Sequence, residues 1–254
     1  MHTEEKSNQA WWYTTKAGKL LAAHEKQVLD DILPGLYGYH LVQCALPQFA
    51  AFVSASLIQH RVMINAQAFS NWPCSLVKGD MEHLPILHDS VDVVVLTHSL
   101  ESALHPHQML REAHRVLIPE GHVVITGLNP FSCWGVMTLF KKLLNPSLHV
   151  KMMSPNRVKD WLALLDFEVV NSKMFYFRPP FAHKRMVKNL SFLEKIGAKF
   201  WPFFGGAYVI VGVKRVVRLT PVKAKFEMKQ KLWVEAEGVP NGASYKRDEH
   251  DKEG

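Results

Sequence analysis

The spacing of apolar residues changes along this 254-residue chain, and each change marks an element. In residues 11–33, Leu20, Leu21, Val28, Leu29 and Ile32 recur at helical intervals, and Pro34-Gly35 stops the run. Residues 39–44 predict a first strand, 48–59 a helix, 62–65 a short second strand and 75–78 a third. Residues 91–97 and 122–126 are dense in valine and read as strands four and five. Between them lie a helix-like stretch, 106–117, and a Pro119-Glu120-Gly121 turn. Ser154 suits a helix cap and Pro155 the first helical turn, so a helix is expected to residue 165. Residues 167–171 predict a sixth strand and 207–217 a seventh. Patterning fades after Thr220, and residues 239–254, polar and charged, are expected to be disordered.

Valine-dense strands suit burial on both faces, which is the habit of parallel sheets. A strand–helix–strand unit implies parallel pairing with a right-handed crossover. Ligands of such sheets sit beyond the carboxyl ends of the strands. The working residues are therefore expected just past Thr97 and Thr126.

Four landmarks in this region carry a resemblance. They are Gly79-Asp80-Met81-Glu82-His83-Leu84-Pro85, Asp89-Ser90-Val91-Asp92, His98-Ser99-Leu100-Glu101 and Arg115-Val116-Leu117-Ile118-Pro119-Glu120-Gly121. Their order and spacing resemble those of class I S-adenosylmethionine-dependent methyltransferases, nearest the group that includes the quinone-biosynthesis C-methyltransferases. The resemblance implies an α/β, Rossmann-like, seven-stranded and mostly parallel sheet with helices on both faces and an antiparallel last strand. It implies S-adenosylmethionine as cofactor and methyl transfer to an unidentified small or lipid-like acceptor. By the same resemblance Asp80 stands where adenine is recognised, with Met81 beside the ring. Asn65 stands where an acidic residue usually meets the ribose, and His98 lines cofactor and acceptor. Gln43 opens the segment that follows the first strand. Read from the residues alone, Asp80 can also be a carboxylate capping a turn, and His98 is equally a structural histidine. No catalytic residue stands out. Methyl transfer asks for little beyond alignment, and positioning alone is worth on the order of 7–11 kcal/mol.

One departure matters. Where the family has a glycine-rich turn, this chain has Gln43-Cys44-Ala45-Leu46-Pro47-Gln48, with no glycine, and Gly35 and Gly38 fall before the strand. This opens an alternative from another class: a non-catalytic binding or scaffold protein of the same fold that has lost the cofactor loop.

Composition and charge refine the picture. The length fits one domain, expected over residues 1–218, with an N-terminal helical extension (1–38) and a charged tail (219–254). Two stretches are extra to a minimal core, 130–153 and 175–205, and are expected to form a lid or substrate wall. Cys44, Cys74 and Cys133 are scattered, which points away from a disulfide framework or zinc site. Metal is not expected, because His98, His105 and His107 lack helical ligand spacing. No secretory leader is visible, and residues 32–60, free of charge, are interrupted by Pro34 and Pro47. The expected location is cytoplasmic. Residues 1–140 hold 8 Lys/Arg and 12 Asp/Glu, whereas 141–218 hold 15 against 4, a net +11. That asymmetry, interleaved with aromatics in 175–205, fits an anionic membrane surface, nucleic acid, or a solvated lid.

Overall fold

The computed structural model describes residues 15–66, 75–144, 151–177 and 204–216. Its centre is a seven-stranded sheet of order β3-β2-β1-β4-β5-β7-β6. The strands are β1 (His40–Ala45), β2 (His60–Asn65), β3 (Ser75–Lys78), β4 (Val91–Thr97), β5 (Leu117–Leu128), β6 (Phe167–Phe175) and β7 (Ala207–Lys214). β1 pairs in parallel with β2 and β4, β2 with β3, and β4 with β5. β7 is antiparallel to both β5 and β6, so it alone runs against the others. The Rossmann-like, mostly parallel sheet with an opposed last strand is therefore present.

Alternation along the strands splits the core into two layers. Leu41, Ala45, Met63, Val93, Val95 and Val124 face α1 (Lys16–Ile32) and pack with its Leu21, Val28 and Leu29. Val42, Cys44, Ile64, Val94, Leu96 and Ile125 face α3 (Pro106–Val116) and α5 (Pro155–Leu164), where Met109, Leu110, Val158 and Leu162 meet them. The short α2 (Ser99–Ser102) follows β4, and α4 (Cys133–Leu144) follows β5. Thr15 Oγ1 caps α1 by accepting from Gly18 N at 3.0 Å, and Ser154 caps α5.

Several expectations are corrected. Residues 48–59 do not form an α-helix; Pro47–Val53 is a 3-10 helix instead. It ends where Ser54 N bonds Ala51 O and where Arg61 Nη1 binds the carbonyls of Val53 and Ser54 at 3.2 and 3.1 Å. Ser56 then turns its hydroxyl to Ile58 N, which competes with helical pairing. β5 starts at Leu117 rather than at His122, because Pro119-Glu120-Gly121 is taken up as an irregularity between the Val91 and Val93 pairings. Glu120 there holds φ 64°. β6 continues to Phe175 although Glu168 and residues 171–173 are exposed, as an edge strand permits. β7 ends at Lys214, and α1 begins at Lys16, with residues 11–14 outside the described part. Most of the 175–205 stretch, part of 130–153 and the whole 219–254 tail also lie outside it. Among the described residues, no helix is long and apolar enough to cross a membrane.

Lys214 closes the amino-terminal end of this sheet. Its buried Nζ donates to Asp89 Oδ1 at 2.6 Å, to His114 O at 2.9 Å and to Leu117 O at 2.7 Å. Removing the cation strands two carbonyls, so Lys214→Met should lower unfolding free energy by about 2–3 kcal/mol in urea titrations. The hydrogen bond from Lys214 also holds the Asp89 carboxyl below its usual value. A depressed carboxyl stabilises above its unfolded pKa, and that contribution fades as pH falls through the folded one. The variant should therefore show a shallower loss of stability in acid than the wild type.

Candidate active site at the carboxyl edge of the sheet

The carboxyl ends of β1 to β5 carry two neighbouring groups of polar residues. The first lies past β2 and β3. Gly79 N bonds Asn65 O at 3.0 Å and so joins the two strand ends. Asp80 follows, its Oδ1 accepting from Glu82 N at 3.0 Å and its Oδ2 3.2 Å from His83 Nδ1. The carboxylate thus caps its own turn while its side chain stays 61% exposed. A cavity of about 420 Å³ opens here, lined by Ala66, Lys78, Gly79, Asp80, Glu82 and Leu104. Glu82 Oε1 accepts from Leu104 N at 2.6 Å and His105 N at 3.1 Å, which fixes the cavity's far wall at the start of α3. Met81 is buried beside it in the α3-facing core. Asn65 turns inward, and its Nδ2 donates to Ala45 O at 2.6 Å.

The second group lies beneath α1, past β1, β4 and β5. His98 directly follows β4 in a left-handed conformation, φ 52°, which suits histidine better than most non-glycine residues. Its Nε2 lies 3.0 Å from Glu25 Oε2 of α1, and its Nδ1 3.2 Å from Glu101 Oε2 of α2. Glu25 is 0% and His98 3% exposed. Glu101 Oε1 in turn accepts from Leu128 N, and Ser99 Oγ donates to Cys44 O. Burial opposes charging the imidazole, but the two carboxylates outweigh it and raise the His98 pKa to about 10. The shift favours the protonated ring, in which both nitrogens are donors and no lone pair is left to accept a proton.

Gln43 joins this second group. Its Nε2 donates to Phe49 O at 2.8 Å, and the Phe49 ring lies 5.3 Å from the His98 ring. The 3-10 helix that replaces the glycine turn therefore carries a phenylalanine into the α1-facing core against His98. Among the described residues, four buried polar atoms here have no hydrogen-bond partner: Glu25 Oε1, Gln43 Oε1, Thr97 Oγ1 and Thr126 Oγ1. Thr97 pairs in register with Ala45 and with Thr126, and Gln43 is two residues before Ala45. Buried polar atoms are nearly always bonded, so four on one sheet edge are unusual. Among the described residues, no group of His, Cys, Asp or Glu is arranged to hold a metal ion.

The structure thus brings Gln43 and His98 together under α1, and Asn65, Asp80 and Met81 together over β2 and β3. Sequence reasoning missed Glu25 and Glu82. Glu25 had a readable signal, since it stands four residues after Leu21 and four before Leu29 on the apolar stripe of a helix.

Known proteins share this frame. A family model described as a methyltransferase domain matches residues 36–125. The uncharacterized protein YafS of Escherichia coli strain K12 is 33% identical over 210 residues, 82% of each chain. A methyltransferase from Thermotoga maritima, dependent on S-adenosylmethionine, superposes with TM-score 0.58 at 16% identity, over 80% of this chain and 93% of that one. Another from Archaeoglobus fulgidus gives 0.55 at 17%, over 76% and 94%. The chain belongs with YafS in one family, carries a methyltransferase domain over residues 36–125, and has the fold of the S-adenosylmethionine-dependent methyltransferases.

The methyltransferases that share this fold depend on S-adenosylmethionine. Its ammonium and sulfonium are cations, and its nucleoside carries hydroxyl and amino donors. The residues present suit that chemistry: unpartnered acceptors on Glu25 and Gln43, and an exposed carboxylate at Asp80 on a cavity wall. The loop departs from the family, with side chains at Ala45, Leu46 and Gln48 and no amide hydrogen at Pro47.

The buried imidazolium has a measurable signature. A group whose folded pKa is raised stabilises fully below its unfolded pKa, near 6.5, and loses that contribution as pH rises through about 10. Between those values the unfolding free energy should fall by up to about 1.4 kcal/mol per pH unit. Denaturant titrations across this window should show that slope, and His98→Gln should abolish it.

Proposed function

We propose that this chain transfers the methyl group of S-adenosylmethionine to a small or lipid-like acceptor. The observation that carries the reading is the set of unpartnered acceptors, Glu25 Oε1 and Gln43 Oε1, on the edge where the fold binds ligands. In this reading Asp80 and the cavity around it receive the nucleoside, and Glu25 and Gln43 face the cationic end. The bound cofactor supplies a methyl carbon made electrophilic by its sulfonium. The chain's own contribution is alignment and exclusion of water. His98 is a positioning residue that fixes Glu25 and Glu101, because a protonated imidazole has no place for an acceptor's proton. A lipid-like acceptor is the class implied by the resemblance to quinone-biosynthesis C-methyltransferases.

A second reading rests on Phe49. With its ring against His98 and no glycine in the loop, the chain is equally suited to be a non-catalytic binding or scaffold protein on the methyltransferase fold. Titration calorimetry with S-adenosylmethionine and S-adenosylhomocysteine separates the two. The enzyme reading expects saturable heat with both, and an Asp80→Ala variant about tenfold weaker with an unchanged melting temperature, since substitutions at exposed loop sites shift stability little. Absence of heat and of thermal shift at millimolar ligand would leave only the scaffold reading. A large fall in stability with unaltered affinity would reduce Asp80 to a turn cap.

A further inference from the structure

Helix α4 (Cys133–Leu144) has its apolar residues on the wrong side for a surface helix. Trp134 is buried and faces the α1 side of the core, 5.9 Å from the Tyr176 ring. At 100° per residue, Val136, Leu139 and Phe140 fall on the opposite side at spacing i, i+3, i+4. They are 63%, 69% and 62% exposed, and Phe131 in the turn leading into the helix is 66% exposed. Cys133, on the same side, is also exposed. Single exposed apolar residues are ordinary, but a run along one helix face marks an interaction site.

The sequence that follows this face argues for what covers it. The helix leads into the part of the sequence with 15 Lys/Arg against 4 Asp/Glu, starting at Lys141-Lys142. Beyond it, Lys151 and Arg157 are exposed. An apolar stripe followed by concentrated cations has the chemistry of a helix lying in the interface of an anionic bilayer, side chains among the acyl chains and cations at the head groups. A nucleic acid would neutralise the cations but leave Val136 and Leu139 in water. A groove on another protein, or a second copy of this chain, would cover the stripe without calling for the cations that follow it in the sequence.

We propose that the α4 stripe, Phe131, Val136, Leu139 and Phe140, docks this protein on an anionic lipid surface. This goes beyond methyl transfer and stands without it, since it is read from binding alone. Because α4 follows β5, whose last residue bonds Glu101, docking would face the carboxyl edge of the sheet toward the bilayer.

The test is flotation of the full-length chain with vesicles of phosphatidylcholine, with and without phosphatidylglycerol. Association is expected with the anionic vesicles, weakening as salt rises but retaining a salt-resistant part from insertion. The paired substitution Leu139→Asp with Phe140→Asp should cut association about tenfold without lowering the melting temperature, because both side chains are already in water. Any of the following outcomes overturns the proposal. One is no association with anionic vesicles at low salt. A second is equal association of wild type and paired variant. The third is a concentration-dependent dimer in sedimentation that the variant dissolves, or retention on an oligonucleotide in place of vesicles. None of these depends on S-adenosylmethionine binding, so failure here leaves the methyltransferase reading intact.

Discussion

The carboxyl edge of this sheet depends on one buried imidazolium. His98 joins three separate pieces of chain: Glu25 of the N-terminal helix, Glu101 of the short helix after β4, and through Glu101 the amide of Leu128 at the end of β5. Taking three ionisable groups out of water is costly, and a lone carboxylate at Glu25 would not be tolerated. The His98 ring bridges the two carboxyl groups, one nitrogen 3.0 Å from Glu25 Oε2 and the other 3.2 Å from Glu101 Oε2, so each has a partner. This arrangement also makes α1 a wall of the site, although it lies more than seventy residues before His98 in the sequence.

How much of this was legible depends on whether a feature is local. β4 was read to the residue because Val91 to Thr97 is apolar at almost every position, the mark of a strand covered on both faces. The order of the strands and the start of α3 are equally local, since Pro106 opens the helix, whereas its end falls at Val116 because β5 already begins at Leu117. The 3-10 helix at Pro47–Val53 was misread because its alanine and phenylalanine residues have ordinary helical character. What shortens it is the guanidinium of Arg61, a contact across the β2 boundary. β6 was cut short for the opposite reason: its polar residues look like a loop, and only pairing with β7 makes them a strand. Asp80 and His98 were located correctly at strand ends, yet their environments were not visible. Nothing near His98 in sequence announces Glu25.

The missing glycines can be weighed in the same physical terms. A glycine turn lets a cofactor rest on backbone amides, with no Cβ in the way. Here Pro47 has no amide hydrogen and Phe49 N bonds Leu46 O, while the carbonyls of the segment are taken by side chains: Ala45 O by Asn65, Cys44 O by Ser99, and Phe49 O by Gln43. The polar atoms left for a ligand are instead on side chains, at Glu25, Gln43, Thr97 and Thr126. Side-chain recognition is more adjustable than backbone recognition and more easily lost. The enzyme and scaffold readings therefore diverge on a few rotamers and one phenylalanine, and not on the fold.

The orientation of α4 follows from contacts at its amino end rather than from its own sequence. Asn129 N bonds Gly206 O at 3.1 Å, and its Nδ2 donates to Gly205 O at 3.0 Å, which ties the end of β5 to the start of β7. Ser132 Oγ donates to Asn129 O at 2.6 Å and accepts from Gly135 N at 3.1 Å, setting the first turn of the helix on that corner. Trp134 then packs beside Gly206, where a Cβ would come within 3.1 Å of its ring. With one face committed to Trp134, the geometry of a helix leaves Val136, Leu139 and Phe140 no direction but outward. A helix free to roll would bury them; this one is held by a corner built from the same strand end that receives Glu101. The exposed stripe is therefore mechanically joined to the site edge, and whatever binds the stripe is set at a fixed place relative to β5.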